Sequence, residues 1–307
     1  MIPSGDRSPL VVVVLLNYGG WRDTLECLDS LEGLDYPNYR TVVVDNASPN
    51  GSEAELRRAR PDLSMIQSGA NLGFAGGNNL GIRHALERGA HYVWLLNNDT
   101  VVEAASLTKL VEVAEAEPSV GMVGSKLLFY DAPDRLQAAG GGRLLAPLGL
   151  TTEFGRDARD DGSWDKPLAL DHLSGASMLV RREAIEAVGL MDESYFMYRE
   201  ETDWCLRMRF AGWELRYAWG SRVWHKEGRS AGYKSARQDY YVARNMLFLM
   251  KRFYPHYLPS ALLVSVGRSL LVSRLLRLRF GKARAVMRAY LDFLTGRRGK
   301  APHHDAL

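Results

Sequence analysis

Along the first 130 residues the apolar positions switch repeatedly between two periods. Residues 10–16 are a continuous run, with Val11 to Leu16 unbroken, which predicts a strand covered on both faces. Trp21, Leu25, Leu28 and Leu31 then recur at helical spacing. Further strands are expected at 39–44, 63–66, 92–96 and 120–130. Between them lie the turn Ser48-Pro49-Asn50-Gly51, a charged helix ending before Pro61, and helices over 77–87 and 103–116. Repeated strand–helix–strand units imply a parallel sheet with right-handed crossovers.

The polar residues fall where those strands end. Asn17-Tyr18, Asp45-Asn46 and Asn97-Asn98-Asp99 each follow an apolar run. In an open α/β sheet the ligand sits outside the carboxyl ends of the strands, so three clusters on one edge read as one site. Residues 131–171 are rich in Gly, Asp, Arg and Pro and read as an irregular excursion or hairpin, a candidate acceptor loop. Order is expected to resume at His172, with a helix from Glu183, another over 200–210, and two short strands at 214–218 and 222–224. From Gln238 to Leu294 the pattern is amphipathic helix, interrupted at Pro255, Pro259 and Gly281.

Charge sharpens the last point. The total is only +3, but residues 237–300 hold 14 Lys and Arg against Asp239 and Asp292, a net +12, while residues 1–236 carry −8. An acidic body with a basic tail suggests that the tail meets an anionic surface. The mixture of Leu258, Leu262, Leu263, Leu270 and Leu271 with Arg268, Arg274, Arg284 and Arg288 suits helices lying in a membrane interface; helices packed on the body, with a solvated basic face, are the alternative. Cys27 and Cys205 are far apart without metal-ligand spacing and read as reduced thiols of a cytosolic protein. Val11–Leu16 is too short for a signal-peptide core, and the stretch 258–276 is broken by Arg268 and Arg274, so no spanning helix is expected.

Each candidate group has a plainer reading beside it. Asp45 and Asn46 can bond a base or ribose edge, or merely shape a turn. The stretch from Asn71 through Gly76, Gly77 and Asn78 reads as a glycine-rich bend into a helix, fit to approach a phosphate or simply to pack. Asn97-Asn98-Asp99 has the spacing of a D-x-D diphosphate–metal site with its first acid replaced; Asp99 could instead cap a helix. Glu200, Glu201 and Asp203 open a helix, where the dipole favours one acid without need of function; three exceed that need, and one could deprotonate an acceptor hydroxyl. His225, after a strand, can supply the ligand that a single acid leaves wanting, or be structural.

In this order, VVVVLLNYGG, VVVDNASPNGS, NLGFAGGNNLGI, WLLNNDT, SGASMLVRREAIEAVGLMDESYFMYREETDWCLRMRFAGWELRYAW and VWHKEG resemble glycosyltransferase family 2, specifically its bacterial rhamnosyltransferase-like branch, over about residues 10–250. The resemblance implies a GT-A fold: a mixed, mainly parallel sheet flanked by helices, here with a C-terminal amphipathic helical extension. It also implies an inverting single displacement with Mg²⁺ or Mn²⁺. Carried over by position, Asn17 and Tyr18 match first-strand nucleotide contacts, Asp45 the acid that reads the base with Asn46 beside it, and Asn71, Gly76, Gly77 and Asn78 the loop around nucleoside and diphosphate. Asp99, after Asn97 and Asn98, matches the metal-binding acid and His225 a histidine that joins it. Glu201 matches the catalytic base, preceded by Glu200; the base position more often holds Asp, so Glu200 and Asp203 compete for the role. Arg244-Asn245 resembles a pair found after the catalytic domain in that branch.

The expected organisation is a catalytic domain over 1–236, with a donor half about 10–130 and an acceptor half about 131–236, and a basic helical region over 237–307. The expected activity is transfer of a sugar, first L-rhamnose from dTDP-rhamnose, to a saccharide or polyprenyl-diphosphate-linked acceptor in cell-wall or surface polysaccharide synthesis. A UDP-sugar donor carrying GlcNAc, galactofuranose or glucose is the alternative, and a non-catalytic nucleotide-sugar-binding protein the alternative from another class. A sugar nucleotidyltransferase would need a Gly-rich basic loop after the first strand, where this chain has only Arg22. Peripheral attachment to the cytoplasmic face of an anionic membrane, no nucleic-acid partner and a possible homodimer complete the expectation.

Overall fold

The computed structural model describes residues 8–226, 235–267, 279–302 and 304. Its centre is a nine-stranded mixed sheet. Strands β1 (Val11–Asn17), β2 (Tyr39–Asp45), β3 (Met65–Gln67) and β4 (Tyr92–Asn97) are mutually parallel, in the order β3-β2-β1-β4. Helices α1 (Trp21–Leu31), α2 (Ser52–Ala59) and α3 (Gly73–Glu87) make the crossovers, and β5 (Thr100–Val102) leads into α4 (Ser106–Ala116). The two sides of β1 separate the core: Val12 and Val14 join one buried cluster, Val11, Val13 and Leu15 the other. Burial on both faces is what an unbroken run of valines requires.

Beyond β4 the parallel rule stops. Strand β11 (Ser177–Arg181) lies antiparallel between β4 and β6 (Val120–Phe129), and β12 (Glu214–His225) runs parallel to β6 and antiparallel to β5. The two short strands expected at 214–218 and 222–224 are one strand, bulged between Ala218 and Arg222. The stretch read as irregular is also ordered. It forms β7 (Ala132–Ala139), paired with β6, and a three-stranded sheet of β8 (Gly141–Leu145), β9 (Leu150–Glu153) and β10 (His172–Leu173). Its Asp residues work as anchors: Asp160 and Asp165 bind the buried Lys126 at 2.7 and 2.5 Å, and Asp160 also binds Arg222. A polar composition signals a loop only when its charges are solvated; these face a buried cation.

After α5 (Arg182–Val188) and α6 (Glu200–Phe210) come α7 (Ala236–Phe253), α8 (Leu258–Val264) and α9 (Phe280–Leu294). Gly281 lies inside α9 rather than breaking it. The boundary expected at 236 coincides with the first residue of α7, a helix built into the body: Leu247 and Leu249 are buried, and Leu249 and Met250 share a cluster with Tyr195 and Leu206. Several tail cations are already paired within the protein, Arg252 to Asp192 and Asp203, Arg297 to Asp292, and Arg298 to Asp192. Arg268, Leu270, Leu271 and Arg274 lie outside the described residues. Among the described residues no helix is long and apolar enough to cross a membrane.

Candidate active site

Register brings the polar strand ends together. Asn17 of β1 pairs with Asp45 of β2, and Leu16 with Asn97 of β4. Behind this edge the side chains hold one another: Asn17 Nδ2 donates to Asp45 Oδ1 at 2.7 Å, as does the Ser48 hydroxyl at 2.6 Å, and Gln67 Nε2 donates to Asp45 Oδ2 at 3.0 Å. Asn98 Nδ2 reaches the Thr24 hydroxyl at 2.8 Å. In front of them opens a cavity of about 370 Å³, bordered on this side by Tyr18, Asn46, Asn71, Asn97, Asn98 and Asp99. Asn17 and Asp45 are fully buried outside that lining, so here they set the turn that presents Tyr18 and Asn46 rather than facing a ligand.

The glycine-rich stretch departs further from expectation. Helix α3 begins at Gly73, so Gly76, Gly77 and Asn78 are helical and outside the cavity lining. A Cβ on Gly77 would come within 2.4 Å of Leu16, so this glycine lets α3 lie close on the sheet, and Asn78 bonds back to the Phe74 carbonyl. The ligand-facing glycine is Gly73. Its φ is +73°, and a Cβ there would fall 2.1 Å from the Phe196 carbonyl oxygen. That contact, with Phe74 N–H donating to the same oxygen at 2.7 Å, joins the donor edge to the segment carrying the acids.

Asp99 and His225 meet at the cavity because β5 pairs antiparallel with β12, setting Thr100 opposite His225. His225 Nε2 is 3.2 Å from Asp99 Oδ1, while Nδ1 lies 2.8 Å from Gln137 Oε1. An amide oxygen can only accept, so Nδ1 carries a proton and Nε2 is the atom turned to the carboxylate. Burial would raise the Asp99 carboxyl, but the His225 hydrogen bond and charge, with Lys226, outweigh it and hold the group below its ordinary value. One carboxylate oxygen and one imidazole nitrogen aimed at the same point, with the histidine held from behind, fit a hard divalent cation whose other ligands are ligand oxygens and water.

The three acids of α6 separate by environment. Asp203 is fully buried outside the cavity, bound by Arg207 at 2.8 Å, Arg252 at 2.9 Å and the Tyr195 hydroxyl at 3.2 Å, and therefore ties α6 to α7 instead of meeting substrate. Glu200 and Glu201 both line the cavity. Burial, and then the adjacent Glu201 charge, push Glu200 well above the ordinary carboxyl range, and its Oε2 has no partner. Glu201 is more open, its Oε1 accepting from Thr202 at 3.0 Å and its stem over Gly175. Gly175 precedes Ala176, whose carbonyl receives the Asn97 N–H, so Glu201 and the Asp99 edge face one space. Glu153, also raised chiefly by burial, adds a third carboxyl with an unpartnered oxygen. Gln137, Glu153, Arg156, Arg237 and His304 are lining residues the sequence did not reveal; they come from the insertion and the tail, where no local motif marks them.

The acids are held by an unusual approach. Phe196, Tyr198 and Arg199, immediately before α6, all have positive φ, at 67°, 65° and 79°. Non-glycine residues there cost about 1–3 kcal/mol each and persist only when their surroundings fix them. Asn245 does so: its Nδ2 lies 3.0, 2.8 and 2.8 Å from the carbonyl oxygens of Tyr195, Met197 and Tyr198. Arg244 Nε orients the Asn245 amide at 2.9 Å, and Arg244 is itself buried against Tyr240 and Tyr241. The Arg-Asn pair of the tail thus acts on the entry to the acid helix.

A mixed, mainly parallel sheet flanked by helices, with polar strand ends on one side of the cavity and an acid-bearing helix on the other, is the GT-A arrangement of nucleotide-sugar transferase folds. The model of glycosyl transferase family 2 matches residues 10–189, and the chain belongs to that family, in its rhamnosyltransferase-like part. It is 28% identical over 201 residues to a low-salt glycan biosynthesis hexosyltransferase of Haloferax volcanii, covering 64% of this chain and 61% of the relative. To an N-acetylglucosaminyl-diphospho-decaprenol L-rhamnosyltransferase of Mycobacterium tuberculosis it is 29% identical over 211 residues, covering 62% and 67%. The chain thus spans about three fifths to two thirds of the length of these relatives. A Pyrobaculum calidifontis mannosyltransferase, solved with GDP-Man and Mn²⁺, superposes with a TM-score of 0.59 at 17% identity over 94% of this chain and 88% of that one, a likeness of fold.

Proposed function

We propose that the protein is a metal-dependent inverting glycosyltransferase that moves L-rhamnose from dTDP-rhamnose to a saccharide carried on a polyprenyl diphosphate. The observation that carries this is a single cavity with the Asp99–His225 pair on one edge and the half-open Glu201 on the other. Asp99 and His225 would hold Mg²⁺ or Mn²⁺, which when bound neutralises the diphosphate and eases departure of the nucleotide. Tyr18, Asn46 and Asn71, on the same edge of the cavity, would meet the nucleoside. Glu201 takes the proton of the acceptor hydroxyl as that oxygen bonds to the anomeric carbon, and the bond from that carbon to the diphosphate breaks in the same step. One displacement inverts the anomeric centre. Burial, and then the adjacent Glu201, push the Glu200 carboxyl well above its ordinary range, which suits Glu201 rather than Glu200 to the base role.

The sugar and lipid come from the mycobacterial relative, whose name states a rhamnosyl transfer to a decaprenyl diphosphate-linked acceptor. A UDP-sugar is the competing donor. The test is transfer from dTDP-rhamnose, UDP-GlcNAc, UDP-galactofuranose and UDP-glucose to a synthetic GlcNAc-diphosphate-lipid, with the product anomer read by NMR. An inverted rhamnoside formed only with divalent metal supports the reading. Transfer from a UDP-sugar alone reassigns the donor, and a retained anomer refutes the single displacement.

A further inference from the structure

Helix α9 wears its apolar residues inside out. The face packed on α7 uses small side chains, Ala283, Ala285, Val286 and Ala289, against Tyr240, Tyr241 and Ala243. The large ones stand in solvent: Phe280, Met287, Leu291 and Leu294 are 64, 46, 61 and 73% exposed. Their spacing of seven, four and three residues places them in one stripe. Arg279 and Arg284 are exposed along the same helix and Arg288 is half-buried, whereas its acid, Asp292, is buried and bound by the Tyr240 hydroxyl. The exposed face therefore carries large apolar groups and cations without an exposed carboxylate.

Position gives the stripe a direction. Lys282 pairs with Asp239 near the start of α7, Phe293 meets Phe248 edge to face further along, and Asp292 reaches back to Tyr240. The first turn of α7 supplies Arg237 and Gln238 to the cavity lining. The start of α9, where Lys282 meets Asp239, thus lies beside residues that line the cavity. Further along the helix, the Tyr290 hydroxyl meets Ser265, just after α8, whose Leu263 is 74% exposed.

We propose that α9 is an interfacial helix that seats the protein on an anionic bilayer, its stripe in the headgroup–acyl boundary and Arg279, Arg284 and Arg288 on lipid phosphates. A second copy of this chain fits less well: a two-fold pairing of α9 would set Arg284 near its own counterpart with no exposed acid between, and one helical stripe buries far less than the roughly 800 Å² per partner of a stable interface. The surface deepens the transfer reading, on which its purpose rests, because it brings the cavity to where a lipid-linked acceptor lies.

The full chain is sedimented with vesicles of pure phosphatidylcholine and with vesicles containing about a third phosphatidylglycerol. Binding is expected on the anionic vesicles only. Each engaged arginine is worth about fivefold, so Arg284→Glu weakens binding by that factor or more, and the exposed pair Leu291→Ser with Leu294→Ser weakens it by about tenfold or more. Metal-dependent hydrolysis of the nucleotide sugar in solution stays unchanged in both variants, which separates a failure of docking from a failure of the transferase reading. Unaltered vesicle binding by the Leu291/Leu294 variant, no binding to anionic vesicles at low salt, or a wild-type dimer in sedimentation velocity that the same variant dissolves, overturns the proposal.

Discussion

Replacing Asn245 by Ala removes the donor that spans three carbonyls ahead of the acid helix. Two N–H groups serve those three acceptors, so two full hydrogen bonds are lost, about 1 kcal/mol each, and a buried carbonyl left unpaired adds about 1 kcal/mol more. A loss of about 3 kcal/mol lowers the melting temperature by about 5–10 °C. The strain at Phe196, Tyr198 and Arg199, about 1–3 kcal/mol per residue, then has less to hold it. Relaxation of that loop moves Glu200 and Glu201, and a displacement near 1 Å costs about a hundredfold in turnover. Asn245→Asp separates the roles, because it keeps the acceptor for Arg244 Nε at 2.9 Å while losing the donor. Steady-state transfer is measured well below the lowest melting temperature. The expected result is a kcat reduced about 10–100-fold in both variants, with the donor KM rising less, because the loop carries the acids and meets the donor edge through the Phe196 carbonyl. Wild-type kcat in a variant that has lost the expected stability would show that the pair holds the fold and nothing in the site.

Asp99→Ala is expected to abolish turnover and metal-dependent nucleotide binding, with His225→Ala milder, both read by calorimetry with and without chelator; undiminished turnover of Asp99→Ala in chelator sinks the metal assignment. Glu201→Gln should retain donor affinity and lose about 10²–10⁴ in transfer, whereas Asp203→Asn, outside the cavity, should spare the chemistry; the reverse pattern would exchange their roles. Glu200 has a folded-state pKa above its unfolded one, so its contribution to stability is complete at acid pH and disappears as pH rises through the folded value. Glu200→Gln should therefore melt higher than the wild type at neutral pH and at about the same temperature near pH 4; a lower neutral midpoint contradicts the burial argument.

Much of the donor half was legible because its signals are local. The valine run of β1, the turn at Ser48 and the acids opening α6 each state their structure within a few residues. What could not be read depends on partners far along the chain. Residues 132–139 form a strand because the edge of β6 receives them, Asp160 is held by the buried Lys126, and Asp203 leaves the catalytic set because Arg252, 49 positions later, claims it. Gly76 and Gly77 looked like a phosphate loop, yet the missing side chain of Gly77 serves the contact of α3 with Leu16, a reason visible only once helix and sheet are together. Basic residues of the tail suggested one solvated or lipid-facing surface; Arg244, fully buried, shows that charge alone does not say which way a helix faces.

In the proposed function one cavity binds a nucleotide sugar through metal at Asp99 and His225 and activates an acceptor opposite. Release of nucleoside diphosphate from dTDP-rhamnose, with Mn²⁺ and a GlcNAc-diphosphate-lipid acceptor, tests it in one assay on wild type, Asp99→Ala and Glu201→Gln. Acceptor- and metal-dependent release is expected in the wild type, none in Asp99→Ala, and donor binding without release in Glu201→Gln. Release that persists in both variants, or its absence in the wild type with every nucleotide sugar substituted for dTDP-rhamnose, would contradict it.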